Sequence, residues 1–266
     1  MILGNAFKPA PAASRMRETA DLAVAHRAYR ERPSRNLVHL LRRRYEWCNE
    51  FVGPDDDGVE LAAGIGAARD FVRCRSLLLT DVERGDWLDL AGVDATATPF
   101  EDDRFDFVLV SNAIHHLAHP IRLFDEVARI LRPGGLLLIR DVKCSLVQRL
   151  AARLTRVEGY DFDVDVYDRD AVLSDPANAW SANNAVPDLL FDDLKVFAQR
   201  VSSFEVLHHR YDECLLFLNS GGVTHKTVSI PLPEPGLRLL GAIDDVLTRR
   251  FPGTFALQRS VVLRAR

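Results

Sequence analysis

The chain has 266 residues, 47% of them hydrophobic, with 38 acidic against 34 basic side chains and a formal net charge of −4. That length buries a substantial core and is simplest as one enlarged domain, and the slight acidity gives no general attraction to phosphate backbones. Cys48, Cys74, Cys144 and Cys214 are scattered without C-x-x-C spacing, which speaks against zinc and a disulfide framework and for a reducing compartment.

From the start, MILGNAFKPAPAAS reads as a flexible or extended arm. It lacks the basic start and long apolar stretch of a signal peptide, and no apolar run approaches the ~20 residues that cross a bilayer, so a cytoplasmic protein is expected. Arginine outnumbers lysine 30 to 4, a bias of GC-rich bacterial genomes. Residues 35–52 form the first clear helix: Ser34 caps it, and Leu37, Leu40, Leu41, Tyr45, Cys48 and Val52 line one face. The run Arg42, Arg43, Arg44 reads as its solvated side. Residues 1–52 then make an arm and helix ahead of a main unit at 53–266.

That unit opens with VELAAGIG, a buried strand entering a glycine turn, and a helix over 67–72 follows. LLLTD ends a second strand at Asp81, GVDATATPF carries Asp94, and RFDFVLVSNAIHH runs a further strand over 105–110 into Ser111, Asn112, His115 and His116. Ile121, Phe124, Val127, Ala128 and Leu131 recur at helical spacing, Pro133-Gly134-Gly135 stops that helix, and a strand over 136–139 leads to Asp141. Apolar runs without polar alternation suit a parallel sheet covered on both faces. Strand–helix repetition makes it doubly wound, an α/β fold with ligands at the carboxyl ends of the strands.

Residues 143–190 form an insert, and from Asp161 to Asp193 the chain is strongly acidic. Its D-F-D-V-D string is not a calcium loop, because Val166 stands where glycine is needed and Val172 where a bidentate glutamate belongs. Phe162, Val164 and Val166 alternating with aspartates suggest a short exposed strand, or a lid facing the arginine-rich N-terminal region. Trp180, Asn183 and Asn184 could give a polar acceptor an aromatic wall and hydrogen bonds; a Trp packing the insert with asparagines in a turn is the plainer alternative. A helix over 191–203, strands over 204–207 and 260–263 as an antiparallel pair, and between them a helix over 236–250 complete the chain. That extra helix would cap the site or make a homodimer contact.

The glycine turn decides the cofactor class. A dinucleotide site wants G-x-G-x-x-G, and Arg69 stands at the third glycine. None of the five tyrosines has the lysine four residues on that a short-chain dehydrogenase needs. Over residues 59–140 the chain instead resembles the class I S-adenosylmethionine-dependent methyltransferases of the broad small-molecule type. The resemblance implies a mostly parallel, seven-stranded Rossmann-like sheet with an N-terminal lid helix and an acceptor-binding insert after the fifth strand. It implies S-adenosylmethionine as cofactor: Glu60 is the first-strand acid, Ala63, Gly64 and Gly66 let the backbone approach the methionine part, and Asp81 with Val82 receives the ribose hydroxyls. Asp94 and Ala95 meet the adenine, with Ser111 and Asn112 near the sulfonium. The chain departs from the family at Ala67 and Ala68, after the glycine pair, and at Thr98, where leucine usually precedes Pro99.

A hydroxyl acceptor benefits from a base, and the candidates in order are His116, His115 and Asp141; no metal is expected. The implied function is methylation of a small molecule, a hydroxyl of a sugar, glycolipid or secondary metabolite. The alternatives are a non-catalytic S-adenosylmethionine-binding partner module and a nucleic-acid methyltransferase. The second has nine arginines in residues 15–44 in its favour, but SNAIHH stands where an N-P-P-Y-type segment would follow the fourth strand.

Overall fold

The computed structural model describes residues 21–155, 158–224 and 227–266; the arm at 1–14 lies outside them. In chain order the helices α1 (Leu22–Glu31) and α2 (Arg35–Glu46) precede β1 (Asp57–Leu61), β2 (Ser76–Asp81), β3 (Leu90–Ala91) and β4 (Phe105–Ser111). Then come α3 (Pro120–Ile130), β5 (Leu131–Val142), α4 (Leu146–Thr155), α5 (Val186–Phe191), α6 (Leu194–Arg200) and β6 (Phe204–Asp212). The chain ends with α7 (Leu215–Leu218), α8 (Glu234–Arg250), α9 (Pro252–Phe255) and β7 (Gln258–Ala265).

The strands form one seven-stranded sheet in the order β3-β2-β1-β4-β5-β7-β6. The first five run parallel, and β7 is antiparallel between β5 and β6. Alternate side chains of one strand serve two cores, as a pleat requires. Val108 and Val110 of β4 face the core built by α3, α5 and α6, while Phe107 and Leu109 face the one roofed by α1 and α2. Both faces being covered explains why the strands read as unbroken apolar runs.

Several expectations need correction. Residues 67–72 make only a 3-10 turn, Ala67–Asp70. The two alanines are fully buried against the sheet, so packing rather than helix propensity sets the chain there. Residues 162–166 form no strand: Asp161, Asp165, Asp168 and Asp175 each accept a hydrogen bond from the backbone N–H two residues on. The aspartates thus specify a succession of turns. Val166 is buried in the main core with Val164 packed against it, and Arg122 of α3 pairs with Asp170, so this segment packs beside α3.

The helix expected at 35–52 ends at Glu46 and passes into a 3-10 turn. It lies on the sheet through Leu37, Leu41 and Tyr45, and the covering role passes to α1. The arginine run divides: Arg42 is solvated, Arg43 pairs with Asp245 at 2.6 Å, and Arg44 is buried on Glu213 at 2.9 Å. Glu213 also receives Arg140 of β5 at 2.7 Å, and Arg140 pairs with Asp212 as well. This buried network ties α2, β5 and the end of β6 together.

α8 packs on α2 and α7 through Leu40, Leu216 and Leu237. Its Asp244 accepts the N–H groups of Cys214, Leu215 and Leu216, which satisfies the orphan donors at the start of α7. No helix among the described residues is long and apolar enough to cross a membrane.

Candidate functional site

The carboxyl ends of β1, β2, β4 and β5 open on one edge of the sheet. After β1 the chain turns sharply, with Ala62, Gly64 and Gly66 at φ of 58°, 54° and 72°. A Cβ on Gly64 would meet nothing within 4 Å, so its backbone faces open space, whereas one on Gly66 would press to 2.9 Å from the Trp87 ring. The first glycine therefore leaves a bare cradle, and the second admits Trp87.

Asp81, at the end of β2, holds this cradle. Its carboxylate accepts from Gly64 N at 2.9 Å and Glu83 N at 2.9 Å and is 5% exposed. Burial pushes its carboxyl above the usual range, and the N–H bonds from Glu83, Gly64 and Val82 offset only part of that. Val82 beside it is exposed, a flat apolar surface next to an acceptor pair. Asp94 is exposed and closes its own turn on Thr96, while Ala95 is buried in the core. Thr98 donates through N and Oγ1 to Glu126 of α3, which anchors the segment where the family carries leucine. Glu60 sits lower, fully buried within β1, its carboxyl driven well above the usual range by burial, with Tyr45 and Ser111 close by.

Two residues outside the sequence reading close the turn. Trp87 donates Nε1 to Gly64 O at 2.9 Å, and His26 of α1 stacks on it at 4.2 Å with Nδ1 2.8 Å from Ile65 O. Tyr29 and Arg30 of α1 bind Asp70, so α1 is clamped onto the cradle. An open groove of about 490 Å³ runs outside this clamp and holds none of the strand-end acids. The only sequence signal for Trp87 was an aromatic shortly after the second-strand acid.

Beyond β4, Asn112 adopts φ 53°. Its N–H bonds Arg140 O at 2.7 Å and its amide oxygen accepts from Gln258 at 2.8 Å, so it pins the loop to β5 and β7. The loop then presents the histidines. Asp141 Oδ2 accepts from Ala113 N at 3.1 Å and Ile114 N at 2.8 Å, and its Oδ1 lies 2.5 Å from His115 Nδ1. Burial alone would lower the His115 imidazole, but the Asp141 carboxylate outweighs it and raises it; Asp141 in turn is held below its ordinary range despite burial. His116 lies beside it, ring centroids 4.2 Å apart, with Nδ1 3.1 Å from Ser181 O. Burial, then the neighbouring His115, pull His116 down to about 4.

The insert packs over this loop: Asn183 N bonds His115 O at 2.8 Å, Ser174 Oγ bonds His116 O at 2.6 Å, and Trp180 meets the His116 ring edge-on at 6.3 Å. Asn183 is a turn residue bonded to Asp161. Asn184 is fully buried, its amide without a partner among the described residues. The structure thus brings His115, His116 and Asp141 together as one cluster, and Gly64, Asp81 and Val82 as another on the same edge. Asp94 contributes an exposed carboxylate, while Glu60 and Ala95 support from within.

A parallel sheet closed by an antiparallel seventh strand, with a glycine cradle bonded to the acid of the second strand, defines the class I fold of S-adenosylmethionine-dependent methyltransferases. Residues 63–139 match the methyltransferase domain family. A phthiotriol/phenolphthiotriol dimycocerosates methyltransferase of Mycobacterium ulcerans is 48% identical over 58 residues, 22% of this chain and 21% of that protein. A demethylmenaquinone methyltransferase of a Mycobacterium species is 32% identical over 98 residues, 33% of this chain and 42% of that protein. These alignments span less than half of the relatives' own length. The crystal structure of a SAM-dependent methyltransferase from Archaeoglobus fulgidus superposes with a TM-score of 0.52 at 16% identity, over 89% of this chain and 97% of that one.

The residues present fit S-adenosylmethionine. The open face at Gly64 admits a close backbone approach, the Asp81 carboxylate retains a lone pair beyond its bonds from Gly64, Glu83 and Val82, and Val82 offers apolar contact.

Proposed function

We propose that the protein transfers a methyl group from S-adenosylmethionine to a hydroxyl of a small-molecule acceptor: a sugar, a glycolipid or a secondary metabolite. The observation that carries this reading is the bare Gly64 cradle held by Asp81 on the same sheet edge as the buried His115 and half-buried His116. The two named relatives, acting on a dimycocerosate lipid and on demethylmenaquinone, support an acceptor with a large apolar part.

The cofactor, when bound, supplies an electrophilic methyl on a sulfonium. In this reading Ala63, Gly64 and Gly66 receive its methionine part through backbone, Asp81 accepts both ribose hydroxyls, and Val82 lies along the nucleoside. Asp94 and Ala95 meet the adenine, Ser111 and Asn112 border the sulfonium end, and Glu60 supports the cradle from below. Displacement requires the acceptor oxygen to be aligned and shielded from water. The insert over His115 and His116 supplies that shield.

We assign removal of the acceptor's hydroxyl proton to the histidine pair. Both rings have Nδ1 placed against an oxygen, Asp141 Oδ1 for His115 and Ser181 O for His116, so that in the neutral ring Nε2 carries the lone pair. Asp141 acts through His115, because its oxygens already hold the loop. The test is labelled S-adenosylmethionine incubated with the protein and fractionated extracts of its own cells. Label should move into one fraction with the parent protein, and His116→Ala should lose that transfer while binding the cofactor with little change. Cofactor binding without transfer to any fraction would mark a non-catalytic binding module instead.

A further inference from the structure

We propose that His115, His116 and Glu158 form a binding site for a borderline divalent transition-metal ion, of the zinc, cobalt, manganese or iron(II) type. The proposal rests on the reading of this edge as the acceptor end of a methyltransferase, and it gives the histidine pair its means of activating an oxygen. Each of the three residues offers one ligand atom, and the three atoms lie within 4.8 Å of one another, close enough for small side-chain rotations to bring them to the roughly 3.3–3.6 Å that separates donors in a tetrahedral site with bonds of about 2.0–2.2 Å.

The surroundings add a second, independent observation. A metal-binding histidine almost always gives its other ring N–H to a carboxylate or a backbone carbonyl, which fixes tautomer and ring orientation. Both histidines have such partners: His115 Nδ1 is 2.5 Å from Asp141 Oδ1, and His116 Nδ1 is 3.1 Å from Ser181 O. Among the described residues neither Nε2 has a hydrogen-bond partner. The Glu158 carboxylate adds an oxygen donor to the two imidazoles. Asp141 is fixed in turn by Ala113 N, Ile114 N and Val142 N, so His115 is held before any ion arrives.

Two imidazoles and one carboxylate suit transition ions; magnesium and calcium prefer oxygen donors. Three protein ligands leave positions open for an exogenous oxygen. An acceptor hydroxyl bound there through oxygen loses its proton more easily, since the cation stabilises the alkoxide. In this arrangement the histidines serve as ligands in place of acting as the base, and the acceptor gives its proton to solvent as it binds the ion, before transfer takes place away from water.

The experiment uses the untagged full chain after chelator treatment, with cobalt(II) titrated and followed by its visible absorption, and zinc binding followed by calorimetry. S-adenosylmethionine binding is measured separately on the same samples. The expected result is one ion per chain, with affinity at least tenfold weaker in both His116→Ala and Glu158→Gln and cofactor affinity unchanged in Glu158→Gln. Thermal melting establishes that each variant is folded. Absence of stoichiometric binding, or binding that survives in both variants, overturns the metal site. If the cofactor still binds, the methyltransferase reading stands and the pair acts as a simple base; if the cofactor fails to bind, that reading fails whatever the metal result.

Discussion

Replacing Asp81 with asparagine separates what this side chain does for the cradle from what it does for the ligand. The carboxylate accepts Gly64 N and Glu83 N, both at 2.9 Å. An amide of the same shape keeps one acceptor and turns a donor toward the other N–H, and a buried donor left unsatisfied costs about 1–3 kcal/mol. Against this, the charged form of Asp81 is disfavoured by its own burial, and the amide removes that cost. The two terms have opposite sign, so the loss of unfolding stability should stay below the ~1–3 kcal/mol of the unsatisfied donor alone. Ligand binding has no such compensation. A diol donating to a carboxylate makes two charge-assisted bonds at about 1.5–3 kcal/mol each, and asparagine retains one neutral bond at about 0.5–1.5. The net loss is about 2–4 kcal/mol, a rise in Kd of roughly 30-fold to several hundredfold. Calorimetry with S-adenosylmethionine, beside a urea titration of the apoprotein, reads both quantities. An affinity within threefold of the parent in a fully folded variant would refute the ribose role and, with it, the placement of the cofactor on this edge.

Three further outcomes follow from the same physics. Glu60 has its carboxyl raised by burial, so the folded state binds this proton more tightly than the unfolded state. Its contribution to stability is therefore fully present below the unfolded pKa and is lost as pH rises through the folded one, with a slope of up to about 1.4 kcal/mol per pH unit. Glu60→Gln should flatten melting temperature against pH above about 4.5 and raise it at pH 8; an unchanged slope would contradict the burial argument. Arg140→Ala strips Asp212 and Glu213 of a shared buried partner and should cost about 3–5 kcal/mol in a urea titration, whereas a loss under 1 kcal/mol would show that water reaches the network. Trp87→Ala removes the donor to Gly64 O and the stack under His26. Protease cleavage within α1 should speed up several-fold, with weaker cofactor binding; unchanged cleavage would mean that Tyr29 and Arg30 on Asp70 suffice to hold α1.

Local physics made the sheet and the cradle legible. Strands buried on both faces leave continuous apolar runs, helix α3 shows its period in Ile121, Phe124 and Val127, and the positive-φ turn leaves glycines in the chain. What stayed hidden depends on contacts between distant residues. Ala67 and Ala68 have helical propensity but are pulled flat onto the sheet. The aspartates of the insert alternate with apolar residues as a strand would, yet Asp161, Asp165 and Asp168 each close a turn on the N–H two residues ahead, a competition that periodicity does not register. The arginine run reads as solvated until Glu213, at a left-handed position beyond β6, comes back to meet Arg44.

The same distinction separates the two clusters on this edge of the sheet. Gly64, Asp81 and Asp94 follow successive strands, so their convergence is a property of topology and survives in any sequence that builds this sheet. His115 and His116 reach the same edge by that route, but their chemistry is set by groups brought from elsewhere: Asp141 from β5, Ser181 from the insert and Glu158 from about 40 residues along the chain. An imidazole on a strand-end loop can be a structural donor, a base or a metal ligand. The groups placed around the two ring nitrogens choose among these, and they are supplied here by residues with no fixed spacing from the histidines. Under the proposed function, acceptor chemistry follows from how the insert folds over the loop, and a change at Glu158 should alter it while S-adenosylmethionine binding stays the same.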